Sequence, residues 1–407
     1  MFSNAGFFRK MALPAVFFML VSCGKSDKSG AENIAKYDDS KVISILRGEK
    51  KQPEIRECKG CREKYLPAGE LINNGKCKEA MSLLEKLDGK KYYLASETIA
   101  RMYELGRCAP RNMAKAFEWY QKSAEQGSLA ARYNVALMYI NGDGVEQNLT
   151  YGAEAMAYAA TGGIIQAKRT LALMFAEGTG VNKNSQIAFE LFESAAKDGD
   201  AESEEYLGEM YDKGEGVQKD SSKAVDMFIK AAAKGNIPAK RNLAFAYYSG
   251  EGVKQKNLAR AFEWAAQAAS KGDVLAQNLM ADMYMKGEGT KKNSAKAAEW
   301  KKRAAEKGLV TAQFELAGWY YSGKDLAKDY KKSLYWYEKA GNQGHPLAIY
   351  NAGMQHERGE GVPADKNKAV SYYRLAAKTG LVAADEALKR LGAKQESLKK
   401  EKEDNKK

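Results

Sequence analysis

The chain has 407 residues, 44% of them hydrophobic and 29% charged, with 7 prolines, a profile that fits a folded, water-soluble protein and excludes a disordered chain or a polytopic membrane protein. Two histidines in the whole chain leave little for histidine-based metal or acid–base chemistry. The formal charge of +13 raises nucleic acid as a partner, a reading that depends on where the charge lies.

In chain order, residues 1–22 carry Arg9 and Lys10, an apolar run over 11–21, then Ser22 before Cys23. Charged, apolar and small residues in that order make a secretory signal, and the run is too short to span a bilayer. The segment Leu20-Val21-Ser22-Cys23 resembles a bacterial lipoprotein box. The resemblance implies cleavage before Cys23, acyl chains on that cysteine and anchorage in the bacterial cell envelope. Gly24 stands where an Asp is associated with inner-membrane retention, which favours the outer membrane, facing the periplasm. Residues 23–57 then read as the lipidated cysteine and a tether. The basic residues form no dense stripe in the sequence: the tail from Lys389 has eight basic and four acidic residues, and residues 24–57 have eight against seven. No nucleic-acid partner is expected, membrane contact is expected through the N-terminal lipid only, and residues 393–407 read as a charged, disordered tail.

Further along, one pattern recurs. Asn112, Asn148, Asn184, Asp220, Asn257, Asn293, Asp329 and Asp365 are spaced 36 or 37 residues apart, and a glycine follows each after fifteen residues. Asn and Asp cap the free amides of a starting helix and Gly takes the left-handed turn that ends one, so each interval predicts a helix about 21 Å long. The fourth and twelfth positions after the cap are small in every copy, as in Ala116 and Ala124. The seventh is bulky except at Ala155, as in Trp119, Trp264 and Trp336, and large against small predicts a packed core. The other half of each unit runs from a small residue to an aromatic eight later, as in Ala131 to Tyr139, and predicts a second helix with Pro238 and Pro346 at its start. Glycine pairs such as Gly142-x-Gly144 and Gly214-x-Gly216 close it. They connect helix to helix with no Gly-Lys-Ser/Thr following, so they are not read as a phosphate cradle.

The pattern Ala-x7-Tyr-x2-Gly-x-Gly-Val, Asn/Asp, Ala and Ala-Ala-x-x-Gly resembles the Sel1-like repeat, a relative of the tetratricopeptide repeat. It covers residues 95–380 in eight units, with departures at Ser203, His356, Cys108 and Lys324-Asp325-Leu326. The resemblance implies an all-α fold, an α-solenoid of stacked helix-turn-helix units forming a right-handed superhelix. Residues 58–94 become a cysteine-containing N-terminal cap and half repeat, and 381–392 a C-terminal capping helix. Extending the register back puts a cap at Asn74 and its glycine at Gly89, so Cys77 falls in a first helical turn that stacking brings near Cys108. The four cysteines left after lipidation allow three pairings, of which Cys77 with Cys108 and Cys58 with Cys61 are favoured in an oxidising envelope. A redox-active Cys58-x-x-Cys61 lacks a strand-helix-strand context, and a four-cysteine zinc site suits the compartment poorly.

His345 and His356 read as structural, so no catalytic residue, metal or cofactor is expected. By resemblance to tetratricopeptide arrays, the first helix of each unit lines a concave surface. Positions two and six after its initial small residue vary, and the Arg and aromatic residues there are typical interface anchors: Tyr133, Arg169, Arg241, Phe245, Phe314 and Tyr350. The expected function is a lipid-anchored periplasmic scaffold or adaptor that binds another envelope protein, and not an enzyme. The alternative is an immunity protein that neutralises a secretion-system toxin such as a phospholipase effector, as some exported Sel1-like proteins do.

Overall fold

The computed structural model describes residues 37–50, 61–324 and 326–393. Among these residues the order is α1 (Ser40–Leu46), α2 (Cys61–Asn73) and α3 (Cys77–Asp88), then eight helix pairs. Repeats 1 to 4 are α4 (Tyr93–Leu105) with α5 (Met113–Glu125), α6 (Leu129–Asn141) with α7 (Leu149–Thr161), α8 (Ile165–Glu177) with α9 (Ser185–Lys197), and α10 (Ala201–Lys213) with α11 (Ser221–Ala233). Repeats 5 to 8 are α12 (Ile237–Ser249) with α13 (Leu258–Ser270), α14 (Val274–Lys286) with α15 (Ser294–Glu306), α16 (Val310–Ser322) with α17 (Tyr330–Asn342), and α18 (Pro346–Arg358) with α19 (Lys366–Lys378). Helix α20 (Val382–Arg390) closes the stack, and from α2 onward each helix packs chiefly on its neighbours in sequence, as an α-solenoid requires.

Local chemistry sets the boundaries. Each of the eight expected Asn or Asp caps accepts the amide N–H three residues on, at 2.9–3.1 Å. Within the second helices the small fourth position admits the partner backbone, and the core is filled from the eighth position, by Tyr120, Met156, Phe192, Phe228, Tyr337 and Tyr373. The seventh position, expected to fill the core, is half-buried except at Trp336 and sits where neighbouring clusters meet, as Trp119 and Trp264 do. Successive repeats are also joined by edge-on ring pairs, Phe117–Tyr139, Phe189–Tyr211 and Phe262–Tyr284, with centroids 5.1–5.4 Å apart.

The second glycine of each pair makes the tightest approach between repeats. At Gly216, with φ +70°, a Cβ would lie 2.1 Å from the carbonyl oxygen of Ser185, the first residue of α9. Cys108 occupies the same place in repeat 1, with a glycine-like φ of +66°, and its side chain meets the first residue of α3: Cys77 and Cys108 form a disulfide with Cα atoms 4.9 Å apart. The loop it closes, 31 residues in separation, predicts that Cys77→Ser lowers the stability of repeat 1 by about 3 kcal/mol, readable as faster amide exchange in α3 and α4 only.

Three expectations need amendment or fall elsewhere. Helix α3 is capped by Lys76 and makes no side-chain cap bond, because Gly75, which would be the first helical residue after a cap at Asn74, is left-handed at φ +73°; Gly89 is right-handed. The span expected to be a tether contains α1, which docks on α7: Val42 and Ile45 are buried in the cluster that holds Ala153 and Ala157, and Lys41 pairs with Glu154. Cys23, Cys58, Asp325 and the charged tail from residue 394 lie outside the described residues, as does the side chain of Cys61. No described helix is long and apolar enough to cross a membrane.

Candidate protein-binding surface

Consecutive first helices touch, α12 with α14 and α2 with α4, to an extent that no consecutive second helices do. The first helices form one wall of the stack. All six residues singled out for binding lie on them, and the structure gives several a second task. Position two of one first helix reaches the cap of the next: Arg169 meets Asp200 at 2.5 Å, Arg241 meets Asp273 at 3.2 Å, and Phe314 stacks on His345 with centroids 4.3 Å apart. Asp200, Asp273 and His345 each accept an amide N–H at the start of their own helix. These side chains thus tie repeat to repeat. Tyr133 is half-buried, and burial raises its hydroxyl pKa above the ordinary tyrosine value. Tyr350 packs beside Tyr373 at 5.2 Å.

Position six is half-buried in these helices except at Phe245. Along successive helices it reads Leu137, Leu173, Glu209, Phe245 and Asp282, turning from apolar to acidic and aromatic. Phe245 is 40% exposed.

Two charged features of this wall escaped sequence reasoning. Glu205 is buried, hydrogen-bonded to Glu209 and Asn242, and its carboxyl pKa is pushed up to about 7, first by burial and then by the Glu209 charge. The native state therefore holds a proton that the unfolded chain releases near the ordinary value of 4.5, so stability is lost as pH rises through that window. Raising pH from 5 to 8 is expected to destabilise repeat 4 by on the order of 2 kcal/mol, and Glu205→Gln to remove the pH dependence in denaturant titrations.

The other feature is Lys301, fully buried in α15. Its ammonium reaches Asn278 Oδ1 at 2.9 Å, Asp282 Oδ1 at 2.5 Å and Glu315, and lies 5.0 Å from the centre of the Trp319 ring. Lysine stands here at the eighth position, where six of the other units place a large apolar or aromatic side chain. That misfit was the available signal. His345 serves as a cap, and His356 is buried 3.4 Å from Glu338 and stacked on Tyr372. Among the described residues no three His, Cys, Asp or Glu side chains are grouped to hold a metal ion.

Comparison with known proteins agrees with this architecture. A protective antigen present in uropathogenic Escherichia coli strains, displaying an SLR fold, is 30% identical over 75% of this chain, with a TM-score of 0.67. The chain spans 65% of that protein's structure. A Sel1 repeat protein from Oxalobacter formigenes is 25% identical, with a TM-score of 0.60, over 91% of this chain and 98% of its own. An immunity protein from Pseudomonas aeruginosa aligns with 53% of this chain and 81% of its own at 20% identity and a TM-score of 0.35, a likeness too distant to bear on function. No curated protein matches. The Sel1 repeat matches eight times, at residues 91–128, 129–161, 166–200, 201–236, 237–273, 274–309, 310–345 and 346–381. Eight matched units on eight stacked helix pairs place this chain in the Sel1 repeat family.

Proposed function

We propose that the protein is a lipid-anchored scaffold of the bacterial cell envelope that binds another protein along the wall formed by its first helices. The observation that carries this reading is the position-six row, where Glu209, Phe245 and Asp282 stand side by side on consecutive helices with an exposed aromatic at the centre. Such a wall suits a partner segment that brings an apolar side chain to Phe245. The reading also draws on the Leu20–Cys23 pattern and on a disulfide, which belongs to an oxidising compartment. No catalytic role is assigned to any residue.

The test is capture of partners by crosslinking in intact envelopes, with Cys23→Ser as the mislocalised control. Phe245→Ala is expected to reduce capture of the dominant partner at least about tenfold, and Ile229→Ala, which removes an exposed apolar side chain from a second helix, to leave it unchanged. Equal capture by both variants would refute the first-helix-wall reading. A partner captured only when a foreign toxin is supplied would turn the scaffold into a neutralising protein acting through the same wall.

A further inference from the structure

Lysines that are spread thinly along the sequence are gathered in space by the repeat. Where each first helix ends, its left-handed glycine packs against the residue five or six positions on. A Cβ at Gly178, Gly214, Gly250 or Gly287 would lie 3.2–3.3 Å from the Cβ of Lys183, Lys219, Lys256 or Lys292. Lys328 takes the same station beside Gly323. Five consecutive repeats thus carry an exposed lysine at one place on the edge where first helices turn into second helices.

In repeats 4 to 7 a second row follows three residues after the cap. Lys223, Arg260, Lys296 and Lys332 lie 5.3–5.6 Å from the ring centres of Tyr211, Tyr247, Tyr284 and Tyr320, which hold them at the same edge. Facing these cations are Glu215, Glu251 and Glu288 with the capping Asp220 and Asp329. Lys219 meets Glu251 at 3.3 Å, Lys223 meets Asp220 at 3.5 Å and Lys332 meets Asp329 at 3.0 Å. The two rows keep an excess of positive charge over those acids.

An independent observation concerns the N-terminal segment. Asn182, in the loop between α8 and α9, donates its side-chain amide to the Tyr37 carbonyl at 2.7 Å and its backbone N–H to Asp39 at 3.3 Å. Tyr37 and Asp39 therefore lie beside Lys183, at the same basic edge. Helix α1 fixes this arrangement on a seat prepared by sequence: α7 carries Ala153 where α5, α9 and α13 carry Phe117, Phe189 and Phe262, and Ala157 where they carry Gln121, Glu193 and Ala266. Ala153 and Ala157 are both fully buried. The fifteen residues from Cys23 to Tyr37 span at most about 50 Å.

We propose that the first-to-second-helix loop edge of repeats 3–7 is a docking surface for an anionic phospholipid leaflet, with Tyr37, just ahead of α1, held at that edge. The proposal deepens the anchored-scaffold reading and rests on it for the source of the leaflet. Stacked helices repeat at roughly 10 Å, so the row presents charge along tens of ångströms, which fits a continuous anionic surface better than a single phosphate group. Each lysine near such a surface adds an attraction that fades within a Debye length.

The test separates the edge from the lipid. The full chain carrying Cys23→Ser, which has no acyl chain, is measured on vesicles of phosphatidylglycerol with phosphatidylethanolamine and on vesicles of phosphatidylcholine alone. One variant carries Lys→Gln at Lys183, Lys219, Lys256, Lys292 and Lys328. A charge-matched control carries Lys→Gln at Lys197, Lys230, Lys271, Lys302 and Lys378, exposed lysines away from that edge. Helical content and melting of both variants are read alongside. The anionic-specific part of binding is expected to fall at least about tenfold in the edge variant, to change less than about twofold in the control, and to vanish in high salt. Equal losses in both variants, or equal binding to both vesicles, would overturn the proposal. Acylation of Cys23 is read separately by mass spectrometry of the envelope-extracted protein: no acyl chain with intact edge binding would refute the anchor and not the edge.

Discussion

Lys301→Ala is expected to lower the stability of repeats 6 and 7 by about 3–5 kcal/mol, because it leaves a cavity and strips Asp282 and Glu315 of their counter-ion. Denaturant titration with amide exchange resolved to α14, α15 and α16 reads the loss and its position. Lys301→Met is expected to cost less, since it keeps most of the volume and the Asp282 and Glu315 side chains, 29% and 43% exposed, can take up water. Lys301→Met combined with Asp282→Asn and Glu315→Gln should recover most of the remainder. A loss below about 1 kcal/mol for Lys301→Ala would show that the charge cluster contributes nothing to the junction, against the geometry described.

Gly216→Ala is expected to destabilise the junction of repeats 3 and 4 by roughly 3–4 kcal/mol, from two sources. A left-handed backbone costs an alanine about 1–2 kcal/mol, and the new methyl group meets the Ser185 carbonyl at 2.1 Å, which forces the α10–α11 loop off the start of α9. Gly235 supplies the control: it has φ +92° and nothing within 4 Å of its Cβ position, so Gly235→Ala should cost about 1 kcal/mol. Thermal melts of the two variants distinguish these outcomes. Similar losses would mean that the close approach of loop to helix does not hold repeats together.

The parts of this fold that were legible in the sequence are those fixed by chemistry over a few residues. A cap such as Asn184 needs only the amide three residues on, and a glycine such as Gly178 needs only its own backbone, so every helix pair could be placed from spacing. The Asn74 cap failed because Gly75, with φ +73°, turns the chain early, a choice that spacing alone does not reveal. The surfaces depended on which repeats face one another. Arg169 and Arg241 read as interface anchors, yet across the stack they meet Asp200 and Asp273. The seat of α1 showed only as Ala153 and Ala157, small at both positions, whereas the other repeats carry a larger residue at one or both, and its occupant lies more than a hundred residues away in sequence. The basic edge was hidden for the opposite reason: one lysine per repeat is unremarkable in a line of text and becomes a row only when the repeats are stacked.

The first-helix wall as the binding surface is tested most directly by site-specific photo-crosslinking in intact cells, with the reactive side chain placed at Phe245 or at Ile229. The two positions have nearly equal exposure, 40% and 43%, and lie on a first and a second helix. A discrete protein adduct from position 245 and none from 229 is the predicted result. Adducts from 229 alone would place the partner on the second-helix face and contradict the account.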